Sequence, residues 1–428
     1  MAQHASFDPA SVLRENRRLD DVAPKIAAAG LVVGLIGVGA SLGLSLMQGG
    51  LTLFFRSYVM NFCYVMSFAL GALFFVALQH VTKAGWSVVV RRLAELIAAS
   101  IPVLAVLFIP VVAAVALKYE TVYPWANPDY VKADESGMIA RKVSYLNLTW
   151  FAIRCIAYFG LWTWLASFFL RKSVEQDATG DVNLTHSMQW FSGPAVMLYA
   201  LSLTFFAFDV LMSLSPKFFS TIFGVYYFSG SMVGFFALLA ILCHWLQSQG
   251  RLTHVITQEH YHDIGKLMFA FTVFWAYIGF SQYMLIWYAN VPEETFWIRT
   301  RQSTPFWAGV GLTLLFGHFV LPFVALVSRF PKRRPQMLVP IACWMLLMHW
   351  VDMFWLVAPG GAAGSAGAWK SDEPGVALYG AEHLLTALTG MVGLAGLFVW
   401  AVMLRMGRTS LLAERDPRLP ESLAFQNF

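Results

Sequence analysis

Ten apolar runs, each long enough to cross a bilayer, constrain this chain more than anything else in its sequence. They lie near 26–47, 58–80, 93–117, 148–170, 190–213, 219–246, 264–289, 305–328, 337–358 and 383–406. A helix needs roughly 20 residues to cross about 30 Å of hydrocarbon. Backbone polar groups find no water there, so each run is expected to close its hydrogen bonds internally, as a helix. The expected fold class is therefore an all-α integral membrane protein with about ten transmembrane helices. A polar segment, 1–25, precedes the ten-helix domain, 26–406, and a tail, 407–428, follows it.

Composition excludes the soluble alternative. Only 12% of the 428 residues are charged, against roughly 25% in soluble domains. The net charge of +5 is not that of a nucleic-acid binder, because the basic residues sit in short clusters between the apolar runs. With the N-terminus inside, 19 of the 29 Lys and Arg fall on inner segments and 9 on outer ones, with Arg154 inside a span. That bias places both termini in the cytoplasm. The first 25 residues lack the short apolar core and cleavage site of a signal peptide, so the first helix is expected to persist. The outer connections 118–147 and 290–304, with their aromatics and charges, are candidates for docking another subunit. The small-residue loop 359–382 reads as mobile. Cys63, Cys155, Cys243 and Cys343 all fall within apolar runs, outside any CxxC spacing. Packing is their expected role, and no metal, iron–sulfur or covalent haem site is indicated.

Ionisable side chains at membrane depth are costly, so each is a functional candidate. Arg154, Asp209, His349, Asp352, Glu382 and His383 fall toward the outer ends of their spans and form a candidate outer cluster for proton transfer or a quinone environment. His80, Glu95, His244, Asp263 and Lys266 fall toward the inner ends and form a candidate inner-half proton path. His318, near midspan, is placed to join the two. His349 and Asp352 are three residues apart and so share a helix face. A carboxylate beside an imidazole in low dielectric suits proton exchange. Trp150, Arg154, Tyr158 and Trp162 recur every four residues, and Phe205 and Asp209 repeat that spacing. The blander readings are an Arg154–Asp209 or Arg154–Asp352 structural ion pair, a packed His318, and interfacial snorkelling of His80, Glu95 and Lys266.

The stretch Phe208–Tyr227, FDVLMSLSPKFFSTIFGVYY, resembles the signature of NrfD/polysulfide-reductase-C-like membrane subunits. The runs FSQYMLIWYANVPEET (280–295) and HWVDMFW (349–355) narrow the resemblance to the second such subunit, ActF, of bacterial alternative complex III. The resemblance implies two side-by-side four-helix bundles, formed by spans two to five and six to nine, with the first and last spans flanking them. It implies a multi-pass place in the bacterial inner membrane, within a quinol:electron-acceptor oxidoreductase. The partners it implies are an NrfD-like companion, iron–sulfur and multihaem cytochrome c subunits, lipids and, in some assemblies, a terminal oxidase. The iron–sulfur clusters and haem c would sit in those partners, and a quinone or quinol is the one cofactor this chain itself could meet. Two alternatives stand beside a proton-transferring subunit: a secondary transporter, and a structural anchor whose buried charges only fix helix packing.

Overall fold

The computed structural model describes residues 15–48, 50–118, 122–132, 134, 136–359 and 380–427. Among these residues there is no strand, and ten helices are long and apolar enough to cross a membrane. They are α1 (Ala23–Gln48), α2 (Leu51–Val81), α3 (Val88–Ala116), α4 (Leu148–Thr179), α5 (Val182–Leu214), α6 (Phe223–Ser248), α7 (Gln258–Ala289), α8 (Pro305–Val327), α9 (Pro335–Val357) and α10 (Ala381–Met406). The chain is a multi-pass, all-α membrane protein. Most of the loop expected to be mobile, residues 360–379 with Lys370, lies outside the described residues, as do 1–14 with Arg14.

Helices α2–α5 pack as one bundle and α6–α9 as a second, with α2, α6 and α9 forming the seam between them. Helix α2 is buried on nearly every side, which explains why it is apolar all round rather than striped. Polar contacts at the seam bind the elements laterally. Trp350 Nε1 of α9 donates to Asn61 Oδ1 of α2 (2.8 Å), and Asn61 Nδ2 donates to the Ala387 carbonyl of α10 (3.0 Å).

Helices α1 and α10 flank the bundles as a close pair lying against α2. Their contact is built on small residues. A methyl group on Gly37 would stand 2.5 Å from the Gly393 nitrogen, so the two backbones touch directly. Such close approach is the usual source of helix association in lipid, where burial of apolar surface supplies little.

Three spans are irregular. Pro102 and Pro110 break α3 into Val88–Ala98, Ile101–Leu107 and Ile109–Ala116, since proline removes a helical donor. Helix α5 widens into a π-type turn at Ala207–Leu211, and α8 does so at Leu314–Val320. In α8 the cause is Pro322, which has no N–H to return to the His318 carbonyl.

An even number of crossings brings both ends to one face, here the terminal face. There the Leu411 N–H donates to the Arg17 carbonyl (2.8 Å), and Arg17 pairs with Glu414 (2.8 Å). The opposite, distal face carries the connections between α3 and α4 and between α7 and α8.

Several expectations need correction. The Lys/Arg tally counts Arg56 with an outer connection, but it lies buried inside α2, where its Nε donates to the Val357 carbonyl at the end of α9 (2.9 Å). Arg91 and Arg92, assigned to an inner loop, are buried within α3. Arg301 does lie in the connection between α7 and α8, at the end of the short helix Pro292–Thr300, but it is buried there. Arg56 and Arg301 donate to carbonyls at the end of α9, whereas Arg91 and Arg92 pair with the carboxylates of Glu95, Asp416 and Asp177. Cys343, expected to pack inside, is exposed on the outer side of α9.

Candidate functional site

The His349/Asp352 pair forms the centre of the second bundle. Helical spacing puts both on the α9 face turned to the seam, and neither has accessible surface. Asp352 accepts a short hydrogen bond from the Tyr226 hydroxyl of α6 on Oδ1, and one from Trp275 Nε1 of α7 on Oδ2 (3.1 Å). Among the described residues no cation pairs with it, so neutral donors alone support its charge.

His349 Nε2 lies 2.9 Å from Ser67 Oγ of α2. The Ser67 hydroxyl has one proton, and it donates that proton to the Tyr64 carbonyl (2.6 Å). Nε2 must therefore be the donor to Ser67. In a neutral ring that leaves Nδ1 unprotonated, and Nδ1 has no partner among the described residues. The ring packs against Gly230 and Gly234 of α6, where any side chain would collide with it or crowd it.

His318 joins this group from α8. Its ring centroid stands 4.1 Å from that of Trp275 and 6.4 Å from that of His349. Both ring nitrogens are buried without partners among the described residues. The wide turn that carries it also leaves the Gly317 carbonyl free to accept from Trp344 Nε1 (2.7 Å). Wide turns of this kind recur at functional sites.

Asp209 belongs to a different environment. Arg154 grips it through two parallel hydrogen bonds, Nε to Oδ2 (2.8 Å) and Nη2 to Oδ1 (3.0 Å), and the Tyr158 hydroxyl adds a third (2.7 Å). Arg154 stacks on the Tyr145 ring (3.7 Å), and burial together with Asp209 pushes the Tyr145 hydroxyl up to about 12. This is a forked, charge-assisted pair of the strong kind. The π-type turn swings Asp209 inward while Phe205, four residues earlier, is exposed, so the expected shared stripe divides. The first stripe divides too: Trp150 is exposed, whereas Tyr158 and Trp162 stack inside the first bundle.

The expected outer cluster is thus three separate groups. Arg154 and Asp209 sit in the first bundle, and His349 and Asp352 sit with His318 in the second. Glu382 and His383 stand at the start of α10, 3.5 Å apart, with the Glu382 side chain largely exposed. The expected inner path divides as well. Glu95 pairs with Arg92 (3.0 Å) and Arg91 (3.5 Å) in the first bundle, and His80 stacks on Phe169 (centroids 5.4 Å). Asp263 pairs with Lys266 at the start of α7, and no hydrogen bond or ion pair among the described residues joins His244 to either group. His318 meets the outer group only: no hydrogen bond among the described residues carries it on to the terminal face.

Four participants have no place among the residues singled out from the sequence: Tyr226, Trp275, Asp177, which pairs with Arg92 (2.8 Å), and Asp416, which pairs with Arg91. The only signal for Asp416 was its place in a tail with alternating charge.

On the distal face, Asp134 takes Lys217 at 2.8 Å, the Ser136 hydroxyl at 2.6 Å and the Ile139 N–H at 2.9 Å. Burial raises its carboxyl, but these donors win and hold it down at about 2. The pair clamps the connection after α3 to the one after α5.

Searches against family models and against curated proteins match nothing to this chain.

Proposed function

We propose that the chain is a membrane subunit of a quinol-oxidising respiratory complex of the alternative complex III type, and that it contributes a proton-transfer path. The observation that carries the reading is Asp352. Among the described residues it is a fully buried acid with no paired cation, held by Tyr226 and Trp275 beside an imidazole with a bare nitrogen. A buried carboxylate of this kind can take up or release a proton without breaking an ion pair, whereas a group whose charge is fixed by a partner cannot easily do so. The Phe208–Tyr227, 280–295 and 349–355 runs support the same assignment, as does the arrangement of two bundles with a flanking helix pair. In this reading the terminal face is cytoplasmic, the membrane is a bacterial inner membrane, and iron–sulfur and multihaem subunits dock on the distal loops. The chain needs no redox centre of its own.

The structural-anchor alternative draws on one observation, the forked Arg154–Asp209 pair, which suits a role in fixing packing. The two readings separate on Asp352→Asn and His349→Gln in the assembled complex. Proton-coupled turnover should fall at least tenfold with haem content and subunit stoichiometry unchanged. Normal turnover and proton movement in both variants would remove the proposal.

A further inference from the structure

The connection between α8 and α9, residues 328–334, reads SRFPKRR, with four cations and no acid. It turns at the terminal face, where a short helix, Arg329–Arg333, lies against the start of α7. Basic residues that only orient a span are free to stay in water. Lys332 does not: it is 7% exposed. Its stem fills a notch that Gly265 leaves in α7, where a methyl group would stand 2.8 Å from Lys332 Cγ. Its Nζ stands over the Phe269 ring at 5.4 Å.

A lysine buried to this degree ordinarily has a carboxylate partner. Lys332 has none among the described residues, and the acids on the adjoining turns of α7 are engaged, Glu259 by Arg333 and Asp263 by Lys266. Burial pushes the Lys332 ammonium down from the usual lysine range, and the charge of Lys266 pushes it the same way. The flanking arginines bring no countercharge. Arg334 lies on the exposed Phe330 ring at 3.9 Å, and among the described residues no carboxylate pairs with it or with Arg329.

We infer that the turn between α8 and α9 binds the phosphate of an anionic phospholipid through Arg329, Lys332 and Arg334, with the acyl chains on Phe323, Val324 and Val327 of α8. Val324 and Val327 are 65% and 58% exposed, on the last turn before the cations. Phe323 packs on Phe269 (centroids 5.2 Å), so this apolar strip adjoins the ring beneath the ammonium. Basic pockets between spanning helices recur as sites for anionic head groups. A zwitterionic lipid would bring an ammonium as well, and the two acids beside the turn already hold cations of the chain. The inference depends neither on which side of the membrane the terminal face lies nor on the proposed respiratory role.

The test is thermal unfolding of the full chain in detergent with added phosphatidylglycerol, phosphatidylcholine or inorganic phosphate. Phosphatidylglycerol should raise the melting temperature of the wild type well above the other two. Lys332→Met keeps an apolar stem in the Gly265 notch and removes the charge. Without lipid it should melt no lower than wild type, because a buried charge without a partner is gone. Its apparent affinity for phosphatidylglycerol should fall about fivefold, the contribution of one basic residue at an anionic surface. Arg329→Gln combined with Arg334→Gln should weaken binding further still, while Arg171→Gln, which removes an exposed cation of α4, should leave it unchanged. Undiminished affinity in both the Lys332 and the double variant would overturn the inference, as would an equal loss in Arg171→Gln. Equal stabilisation by phosphatidylcholine would overturn the anionic assignment, and equal stabilisation by inorganic phosphate would overturn the lipid one.

Discussion

A methyl group on Gly230 would stand 3.1 Å from His349 Cε1 and 3.3 Å from Nδ1, on the side of the ring that carries its bare nitrogen. The same position lies 3.6 Å from Asp352 Oδ2. The missing side chain on α6 therefore keeps the space beside both titratable atoms clear. Gly230→Ala should fold, because neighbours need to move only a few tenths of an ångström, yet proton-coupled turnover should drop at least fivefold. Turnover and melting temperature measured on the same preparation check this. Full activity would show that the space has no part in proton exchange. Gly234→Ala is the contrast, since its methyl would meet the imidazole and Phe68 at 2.8 Å. Overpacking of that kind costs about 1–3 kcal/mol, so this variant should lose stability.

Asp209 and Asp352 should respond unequally to loss of charge. Removing one member of a buried ion pair costs about 3–5 kcal/mol, because the other charge is left uncompensated. Asp209→Asn strands Arg154 in this way, although partial exposure of Arg154 places the cost toward the lower end. Asp352→Asn leaves no stranded charge: Trp275 can still donate to the amide oxygen, and the Tyr226 hydroxyl, donor to the other carboxylate oxygen, can turn to accept from the amide NH2. Thermal unfolding in detergent should show a clear drop for Asp209→Asn and little change for Asp352→Asn. The reverse order would undo the distinction between a structural and a titrating acid.

The difference between these two acids could not be read from the sequence, where both are single aspartates late in an apolar run. Helix periodicity gave His349 and Asp352 a common face, and it held because α9 is regular through that stretch. It failed for Phe205 and Asp209 because the π-type turn at Ala207–Leu211 inserts a residue into the period. Charge counting placed Arg56, Arg91 and Arg92 in loops, since an arginine beside an apolar run usually marks its end. Here each is drawn inward by carbonyls or carboxylates from elements distant in sequence, such as Val357 for Arg56 and Asp416 for Arg91. The span count was legible because apolar length is a local property. Partner choice across the bundles is not.

Asp134 gives the distal face a pH dependence. Its folded carboxyl is held at about 2, below an unperturbed value near 3.9. A group depressed on folding stabilises the folded state above its unfolded value, and that stabilisation disappears as pH falls through the folded one. The clamp between Asp134 and Lys217 should therefore persist at pH 5 and loosen between about pH 4 and pH 2. Hydrogen exchange of residues 136–147 and 212–222 should rise over that window in wild type. In Asp134→Asn it should already be raised at pH 7.

The C-terminal tail supplies part of the first bundle's charge balance. Asp416 pairs with the buried Arg91, which otherwise has only Glu95 at 3.5 Å, and Glu95 is shared with Arg92. The tail also anchors through Ser422, whose hydroxyl donates to the Trp86 carbonyl (2.6 Å), and through the Glu414 N–H, which donates to Asp177 (2.8 Å). Asp416→Ala would leave the buried Arg91 with only Glu95 at 3.5 Å among the described residues, while Arg92 keeps Glu95 and Asp177. Stability should fall by about 3 kcal/mol, the scale of a broken buried pair. Added Arg91→Met should recover most of it, because the stranded charge is removed with its partner. A double-mutant cycle on unfolding free energy measures this directly. Additive losses, with no recovery in the double variant, would mean that the tail rests on the bundle without neutralising it.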